Sequence, residues 1–249
     1  MRAVWLIERG NQCDDRADPE GARRHWLEAW TLASSAGEHR WAALAASNLG
    51  LGLLGRDDLP GARRWLGNAQ RAAEAGGDRR FEALALGTLA EVERVEGALD
   101  RAEALASEAL EIWSEIGEPR GAAEDWRTLA HVAQARGDPS ALGWMRQARD
   151  RFERHGNQLQ ARVCDSMLAE MTDAPDGVFD ALGSEMAALG GPRELGANRV
   201  RHAAVALRRG DRAVAERCLE EARARLASSG LGPASELGRE IAALAARLG

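Results

Sequence analysis

The sequence of 249 residues contains no lysine and no tyrosine, so every one of its 33 basic residues is arginine. A phosphate-binding Gly-Lys-Ser or Gly-Lys-Thr loop therefore cannot occur, which excludes an NTPase of that type within the chain. Cysteine is also scarce. Cys13, Cys164 and Cys218 are isolated and form no Cys-x-x-Cys pair. This usage predicts small buried thiols in a reducing cytoplasm and argues against a disulfide framework.

Long hydrophobic runs are absent as well. The longest uncharged stretch, Trp41 to Gly55, has fifteen residues, fewer than the roughly 20 needed to span a bilayer. The apolar run near the N-terminus is too short for a signal peptide. We therefore expect a soluble, cytoplasmic protein with no membrane partner. Val, Ile and Phe are too few for a sheet protein of this size, which favours an all-α fold.

The charge balance is acidic but uneven. The formal net charge of −6 makes direct nucleic-acid binding an unfavoured function. Residues 161–190 hold one Arg against six acidic residues, a net charge of −5, whereas residues 191–225 hold nine Arg against five, a net charge of +4. A solvated, salt-bridged helical surface explains this pattern. The alternative interpretation is a partner-docking patch formed by Arg199, Arg201, Arg208 and Arg209.

A repeat with a period close to forty residues dominates the chain. The tetrapeptides that begin at Gly37, Gly77 and Gly117 follow one another at spacings of forty, and Gly156-Asn157 comes thirty-nine residues later. Between these turns lie pairs of helical patterns, of which the fifth is shorter and degenerate. The pattern predicts repeats over approximately 2–37, 40–77, 80–117, 119–156, 158–190 and 193–230, followed by a cap helix over 234–248.

Small and large residues alternate at matching places within these repeats. Gly50, Ala62, Ala90 and Ala102 are predicted to lie where paired helices cross, because a small side chain permits close approach there. Asp at the inner turns is expected to cap the second helix of each pair. Gly at the outer turns is expected to take the left-handed conformation that ends a helix.

Three motifs carry a family resemblance: Trp126-x-x-Leu129-Ala130, Leu49-Gly50, and the Gly-Asp-x-x-x-Ala of residues 210–215. They resemble tetratricopeptide repeats. The period exceeds that family's usual value of about 34 residues, and in this the chain is similar to the arrays of actinobacterial maltose-regulator-type transcription regulators. The resemblance implies a right-handed superhelical solenoid forming a single domain over residues 1–249. It also implies binding of proteins, peptides or occasionally small ligands.

Motifs for catalysis, metals and cofactors are weak. Residues 50–55 match the letters of a dinucleotide-binding loop, but helical pattern precedes them where that loop needs a strand. None of the five histidines has another His or Cys at a metal-ligand spacing, and no nucleophile has a recognisable base and orienting group. We expect no cofactor, no metal and no catalytic residue.

In a tetratricopeptide stack the first helices line the concave face. The side of each first helix opposite its packing positions carries both charge signs, and it lacks the run of basic residues and Asn that resembles the carboxylate clamp of chaperone-binding members. Solvated helix surface is the alternative interpretation for each position. The predicted groove residues are Ser47, Leu51, Glu91, Arg94, Glu124, Arg127, His131, Ser166 and Glu170.

The sequence favours a non-enzymatic interaction module whose concave groove binds a protein or peptide in regulation or assembly. One alternative is a ligand sensor, in which a peptide or small molecule changes the pitch of the superhelix. A second is an enzyme, for which Glu91, Glu124 and His131 are the candidates. Whether the chain forms a homodimer, and whether it acts beside a separate DNA-binding or ATPase protein, is left open.

Overall fold

Aspartate and asparagine side chains begin many of the helices. Asp58 shows the pattern: its Oδ1 accepts a hydrogen bond of 2.9 Å from the backbone N–H of Gly61, and Pro60 occupies an early helical position. Such a cap satisfies one of the backbone donors that a helix start leaves unpaired, and proline there sacrifices no helical hydrogen bond. The same side-chain cap recurs at Asp18, Asp78, Asn157 and Asp211, and of these only the helix after Asp18 also has an early proline.

The computed structural model describes residues 2–16, 18–118, 121–229, 232–233 and 235–248. Within these residues it contains thirteen α-helices and no strand, which confirms the predicted all-α fold. The predicted turn residues Pro119 and Arg120, and the predicted boundary residues Gly230 and Ala234, lie outside the described part of the chain. The chain divides into two compact units, Met1–Val132 (unit 1) and Ala133–Gly249 (unit 2).

Unit 1 consists of consecutive antiparallel helix pairs. The first helix of each pair is odd-numbered and the second even-numbered. Its helices are α1 (Arg2–Asp15), α2 (Pro19–Ser35), α3 (His39–Leu54), α4 (Leu59–Gly76), α5 (Arg79–Val95), α6 (Leu99–Glu115) and most of α7 (Ala122–Arg136).

Unit 2 begins within α7 and includes the shorter fifth pair. Its first helices are α9 and α11. The helices of unit 2 that follow α7 are α8 (Ser140–Arg154), α9 (Gln158–Met171), α10 (Asp176–Ala188), α11 (Pro192–Arg209), α12 (Arg212–Ser228) and α13 (Glu236–Ala246).

The α3–α4 crossing shows why small residues are needed between paired helices. A Cβ atom added to Gly50 would lie 2.6 Å from Leu66 Cγ, closer than carbon atoms can pack. Ala62 and Leu66 are fully buried and pack with Leu89 and Val92 of α5. Residues 50–55 therefore belong to a helix and its end, as the structural interpretation of the Gly-rich motif predicts, and not to a strand-to-helix phosphate loop. Ala90 and Ala102 are also fully buried.

Glycine ends several helices by adopting a left-handed backbone. Gly77, at φ 64°, follows α4 in this conformation, and Gly210, at φ 81°, follows α11. Only glycine takes these angles without a steric cost from Cβ. Gly77 lies at an outer turn that the forty-residue repeat predicts, whereas Gly210 lies at the inner turn between the two helices of one pair.

The interior of unit 2 contains a chain of buried polar contacts. Ser166 Oγ on α9 donates to Asn198 Oδ1 on α11 at 2.8 Å, and Asn198 Nδ2 donates to the carbonyl oxygen of Phe179 on α10 at 2.9 Å. The His202 ring stacks on Phe179 with a centroid distance of 4.9 Å and an interplanar angle of 9°. Three helices of the shorter region are thus joined through hydrogen bonds as well as apolar packing.

Candidate functional site

Two residues of the predicted groove form a tight pair on α5. Arg94 donates from Nε and Nη2 to the two carboxylate oxygens of Glu91 at 2.7 and 2.8 Å. The bidentate geometry fixes both side chains more firmly than a single hydrogen bond would. Both residues are half-buried. They therefore form an ordered part of the α5 surface and are not freely moving surface charges.

The predicted residues on α7 lie next to this pair. Arg127 forms an ion pair with Glu124 one turn away. Thr128 Oγ1 lies 3.5 Å from Glu91 Oε2 and donates a weak hydrogen bond that joins α7 to α5. His131 is half-buried on the same helix. The mixed charges predicted from the sequence are therefore organised into local pairs that carry little net charge.

Two of the predicted groove residues lie in the interior instead. Ser47 is 6% exposed and Ser166 is fully buried, with its hydroxyl donating to Asn198. Each first helix packs against several neighbours: α3 contacts α1, α2, α4 and α5, and α9 contacts α8, α10 and α11. The free side of such a helix is narrower than the sequence interpretation assumed. We therefore leave both serines out of the proposed binding surface.

Leu51 borders a cavity in unit 1. Its side chain is 50% exposed, unusual for a leucine in this chain. The cavity has a volume of about 660 Å³, within the range of small-ligand sites. It opens between α1, α3 and the start of α2. Its lining residues are Asn11, Asp14, Pro19, Trp26, Asn48, Leu51, Gly52, Gly55 and Arg56.

Two asparagines on neighbouring first helices form a fixed amide pair in this cavity. Asn11 Oδ1 accepts hydrogen bonds from Asn48 Nδ2 at 2.9 Å and from Trp26 Nε1 at 3.0 Å. The Trp26 indole is 4% exposed, and Gly10 and Gly52 leave the space it occupies. Since both bonds use the Asn11 oxygen, its amide nitrogen and the Asn48 oxygen make no hydrogen bond within the described part of the chain. A donor and an acceptor are therefore presented side by side.

Arg56 closes one side of the cavity and is held in place by its own partners. Its Nε donates to the carbonyl oxygen of Gly52 at 3.1 Å, and its Nη1 donates to Glu20 Oε1 at 3.2 Å. The Glu20 carboxylate thus compensates the guanidinium charge. The cavity combines an indole, an exposed leucine and a polar amide pair, a composition suited to binding an amphipathic ligand.

A buried acid lies beneath the α5–α7 surface. Asp125 is 2% exposed, and its Oδ2 accepts a hydrogen bond of 2.9 Å from Trp113 Nε1 on α6. Burial raises the pKa of this carboxyl to about 8, and the Trp113 hydrogen bond only partly opposes that shift. The side chain lies against Gly87 of α5, where a Cβ atom would come within 2.1 Å of Asp125 Oδ1. Asp125 therefore joins three helices, and its burial favours the neutral carboxyl.

In unit 2, Glu170 borders a separate cavity of about 330 Å³. Desolvation raises the pKa of its carboxyl, while the charges of Arg201 and Arg208 act in the opposite direction. Arg208 Nη2 donates to the Glu170 carbonyl oxygen at 2.8 Å. The lining residues of this cavity are Gln134, Gly137, Asp138, Pro139, Ala141, Leu142, Glu170, Met171, Asp173 and Arg208.

The arginine-rich segment of unit 2 pairs with the acid-rich segment that precedes it. Arg208 contacts Asp173 at 2.8 Å, and Arg201 lies 4.0 Å from Glu170. Two further pairs extend the pattern: Arg199 with Asp180 at 2.6 Å and Arg209 with Asp176 at 3.2 Å. The opposite net charges of residues 161–190 and 191–225 therefore compensate each other. This corrects the interpretation of the four arginines as a docking patch and supports the salt-bridged helical surface.

No sequence motif predicted a role for Asn11, Asn48 or Arg56. A signal was present, since Asn11 and Asn48 are polar residues in two successive first helices, thirty-seven positions apart.

No group of three or more His, Cys, Asp or Glu side chains able to hold a metal ion occurs among the described residues. None of the described helices is long and apolar enough to cross a bilayer.

Comparisons with known proteins place the fold. No protein-family model and no curated protein sequence matches the chain. Among solved structures, the apo form of RapI matches with a TM-score of 0.78 at 11% identity, over 91% of this chain and 85% of RapI. A Rap protein complexed with competence and sporulation factor matches with a TM-score of 0.69 at 16% identity, over 99% of this chain and 74% of the other.

A third solved structure matches with a lower TM-score. The Rap conjugation gene regulator of the plasmid pLS20, in complex with the Phr* peptide, matches with a TM-score of 0.66 at 14% identity, over 99% of this chain and 74% of that protein. Identities this low establish structural likeness alone. The chain shares with these structures an all-α fold of the tetratricopeptide-like helical-repeat type.

Proposed function

We propose that this chain is a non-enzymatic interaction module that binds a peptide or a protein segment on the first helices of unit 1. The amide pair Asn11–Asn48 carries the proposal. A peptide group has one N–H donor and one carbonyl acceptor, and the unused amide nitrogen of Asn11 and oxygen of Asn48 match both. Leu51, which is 50% exposed, supplies apolar contact beside them.

Two of the similar structures support the same assignment by their contents. One Rap protein is complexed with competence and sporulation factor and another with the Phr* peptide. A ligand held by a few anchors, with surrounding contacts that exclude water, is the usual energetic pattern of such interfaces. We extend the proposed surface to Glu91, Arg94, Glu124, Arg127 and His131, whose paired charges suit a polar rim. Glu170 of unit 2 remains a predicted contact residue.

The remaining assignments are inferences from the sequence. We propose a cytoplasmic location because Cys13, Cys164 and Cys218 form no disulfide among the described residues. The long repeat period supports a regulatory role like that of the arrays in maltose-regulator-type transcription regulators. A sensor of small molecules is the second candidate, favoured by the size of the 660 Å³ cavity.

Quantitative affinity capture from native lysate tests the proposed function. We expect wild-type protein to recover a defined partner, and the double variant Asn11→Ala/Asn48→Ala to recover at least roughly tenfold less, because two anchoring hydrogen bonds are lost. Asn68→Ala is the matched control, since Asn68 lies on α4 outside the cavity and pairs with Arg71. Arg127→Glu with Glu91→Arg tests the α5–α7 surface separately. Equal recovery by the Asn11/Asn48 variant and the wild type would exclude the cavity as the binding site for the partner.

A further inference from the structure

Asp14 is the charged group of the unit 1 cavity that the proposed function does not use. It lies on α1 one turn after Asn11, and both side chains line the cavity. Arg56, the other charged lining residue, is paired with Glu20. The Asp14 carboxylate makes no ion pair with any other described residue, so the cavity offers one uncompensated negative charge beside the amide pair.

The spacing of these groups restricts the cation that can reach all of them. Residues three apart on a helix carry their Cβ atoms about 5–6 Å from each other. A ligand that contacts Asp14 and the Asn11–Asn48 pair together therefore needs a positive charge next to a peptide group. The terminal ammonium of a peptide is bonded directly to the first Cα. A lysine ammonium, in contrast, is carried on a flexible four-carbon stem that moves the charge away from its own backbone.

We infer that the cavity lined by Asn11, Asp14, Asn48 and Leu51 captures the free N-terminus of a peptide, an assignment that rests on the proposed function. Asp14 binds the terminal ammonium, and the amide pair binds the first peptide group. The first side chain of the ligand packs against Leu51, which is 50% exposed. Capture of a terminal amine is a recognised mode of peptide binding, and the α-amino group, with its usual pKa of about 7.7–8.0, is largely protonated at pH 7.

The room left by glycine fits this occupant. Gly52 and Gly55 line the cavity at the end of α3, and a Cβ atom at position 52 would lie 3.1 Å from the Trp26 ring. A side chain at position 52 would enter the space between the indole and Arg56, since its Cβ atom would lie 4.0 Å from Arg56 Nη2. The absence of that side chain leaves room in the cavity for the first residue of a peptide.

A random hexapeptide library with amidated C-termini, synthesised once with free N-termini and once N-acetylated, tests this inference. Each form is mixed with the full chain at pH 7, and retained peptide is quantified by mass spectrometry after gel filtration. The most enriched free peptide is then resynthesised in both forms for calorimetric titration. We expect acetylation to weaken binding roughly tenfold or more, because it removes a charge-assisted contact.

Two variants test whether Asp14 is the group that causes the preference for free N-termini. Asp14→Asn should abolish the preference for free N-termini while retaining weaker binding, because the amide pair is intact. Glu8→Gln, a matched charge removal at an exposed position of α1 outside the cavity, should leave the preference unchanged. Circular dichroism of both variants reports whether the fold is kept.

The remaining outcomes separate this inference from the proposed function. Equal retention of the free and acetylated libraries, with loss of both in Asn11→Ala/Asn48→Ala, would overturn capture of the terminus and leave peptide binding by the cavity intact. Retention of neither library would overturn the inference, while the lysate experiment would still judge the proposed function independently. A preference for free N-termini that survives in Asp14→Asn would show that another group binds the ammonium, which also overturns it.

Discussion

The α3–α4 pair of unit 1 and the α9–α10–α11 group of unit 2 are held together by different means. Leu66 of α4 fills the space that Gly50 leaves on α3, and the contact is wholly apolar. In unit 2, Asn198 joins Ser166 to the Phe179 carbonyl through hydrogen bonds. Helix α10 follows Pro175 and has no side-chain cap at its start. Regular repeats allow shape alone to fix the packing, whereas the shorter, degenerate pair depends on directional hydrogen bonds.

The largest expected effect on stability comes from the apolar packing of α3 against α4. Leu66→Ala should lower the free energy of unfolding by about 2–5 kcal/mol, because it removes a fully buried side chain and leaves a cavity. Urea denaturation followed by circular dichroism measures the change. Leu51→Ala is the matched control, since Leu51 is 50% exposed and its truncation should change stability by less than about 0.5 kcal/mol. Similar losses for both variants would contradict the packing described for α3 and α4.

For the hydrogen-bonded group of unit 2 we expect a comparable loss of stability, part of which a second substitution restores. Asn198→Ala removes the acceptor of the Ser166 hydroxyl and the side-chain donor to the Phe179 carbonyl. Leaving the buried hydroxyl unpaired and losing the hydrogen bond to α10 together cost about 2–4 kcal/mol. Adding Ser166→Ala should recover part of the loss, because the orphaned hydroxyl is then gone. Chemical denaturation of the single and double variants measures this coupling. If the double variant is less stable than Asn198→Ala by the full cost of Ser166→Ala alone, the two side chains do not act together.

The smallest expected effect concerns Asp125, the buried acid that departs from the apolar pattern of unit 1. Its pKa is about 8 in the folded chain against an ordinary value of 3.8, so the folded state binds more protons than the unfolded state between these values. Stability from this group is therefore fully present below about pH 4 and is lost as pH rises towards 8.

Asp125→Asn should remove that dependence, because the amide oxygen can still accept from Trp113 but does not titrate. Denaturation midpoints at pH 6 and pH 8 provide the measurement. We expect the wild type to lose stability relative to the variant across this interval. Parallel changes in the two proteins would show that the Asp125 carboxyl is already ionised at pH 6.

The sequence predicts the fold well because repetition makes the helix pattern redundant. Gly77 and Asp58 mark turns that recur along the chain, and backbone geometry alone dictates which residues suit them. The exposed surface is harder to predict. Ser47 and Ser166 lie opposite the packing positions of their helices and are buried nonetheless, because neighbouring first helices cover that side.

The contacts of the candidate site are equally hard to predict from the sequence. Asn11 and Asn48 are separated by thirty-six intervening residues, and their hydrogen bond depends on how two helix pairs are placed side by side. The orientation of Trp26, which fixes the Asn11 oxygen, depends in turn on the space left by Gly10 and Gly52. No local pattern specifies such a contact, whereas helix periodicity and capping are local properties.

The hydrogen bond from Asn198 to the carbonyl of Phe179 has an evolutionary consequence. A main-chain oxygen is present whatever amino acid occupies position 179, so the bond does not depend on the identity of that residue. Mutations along α10 can accumulate without breaking its tie to α11, provided that Asn198 is retained. In homologous chains we therefore expect position 198 to vary less than the α10 positions it holds in place.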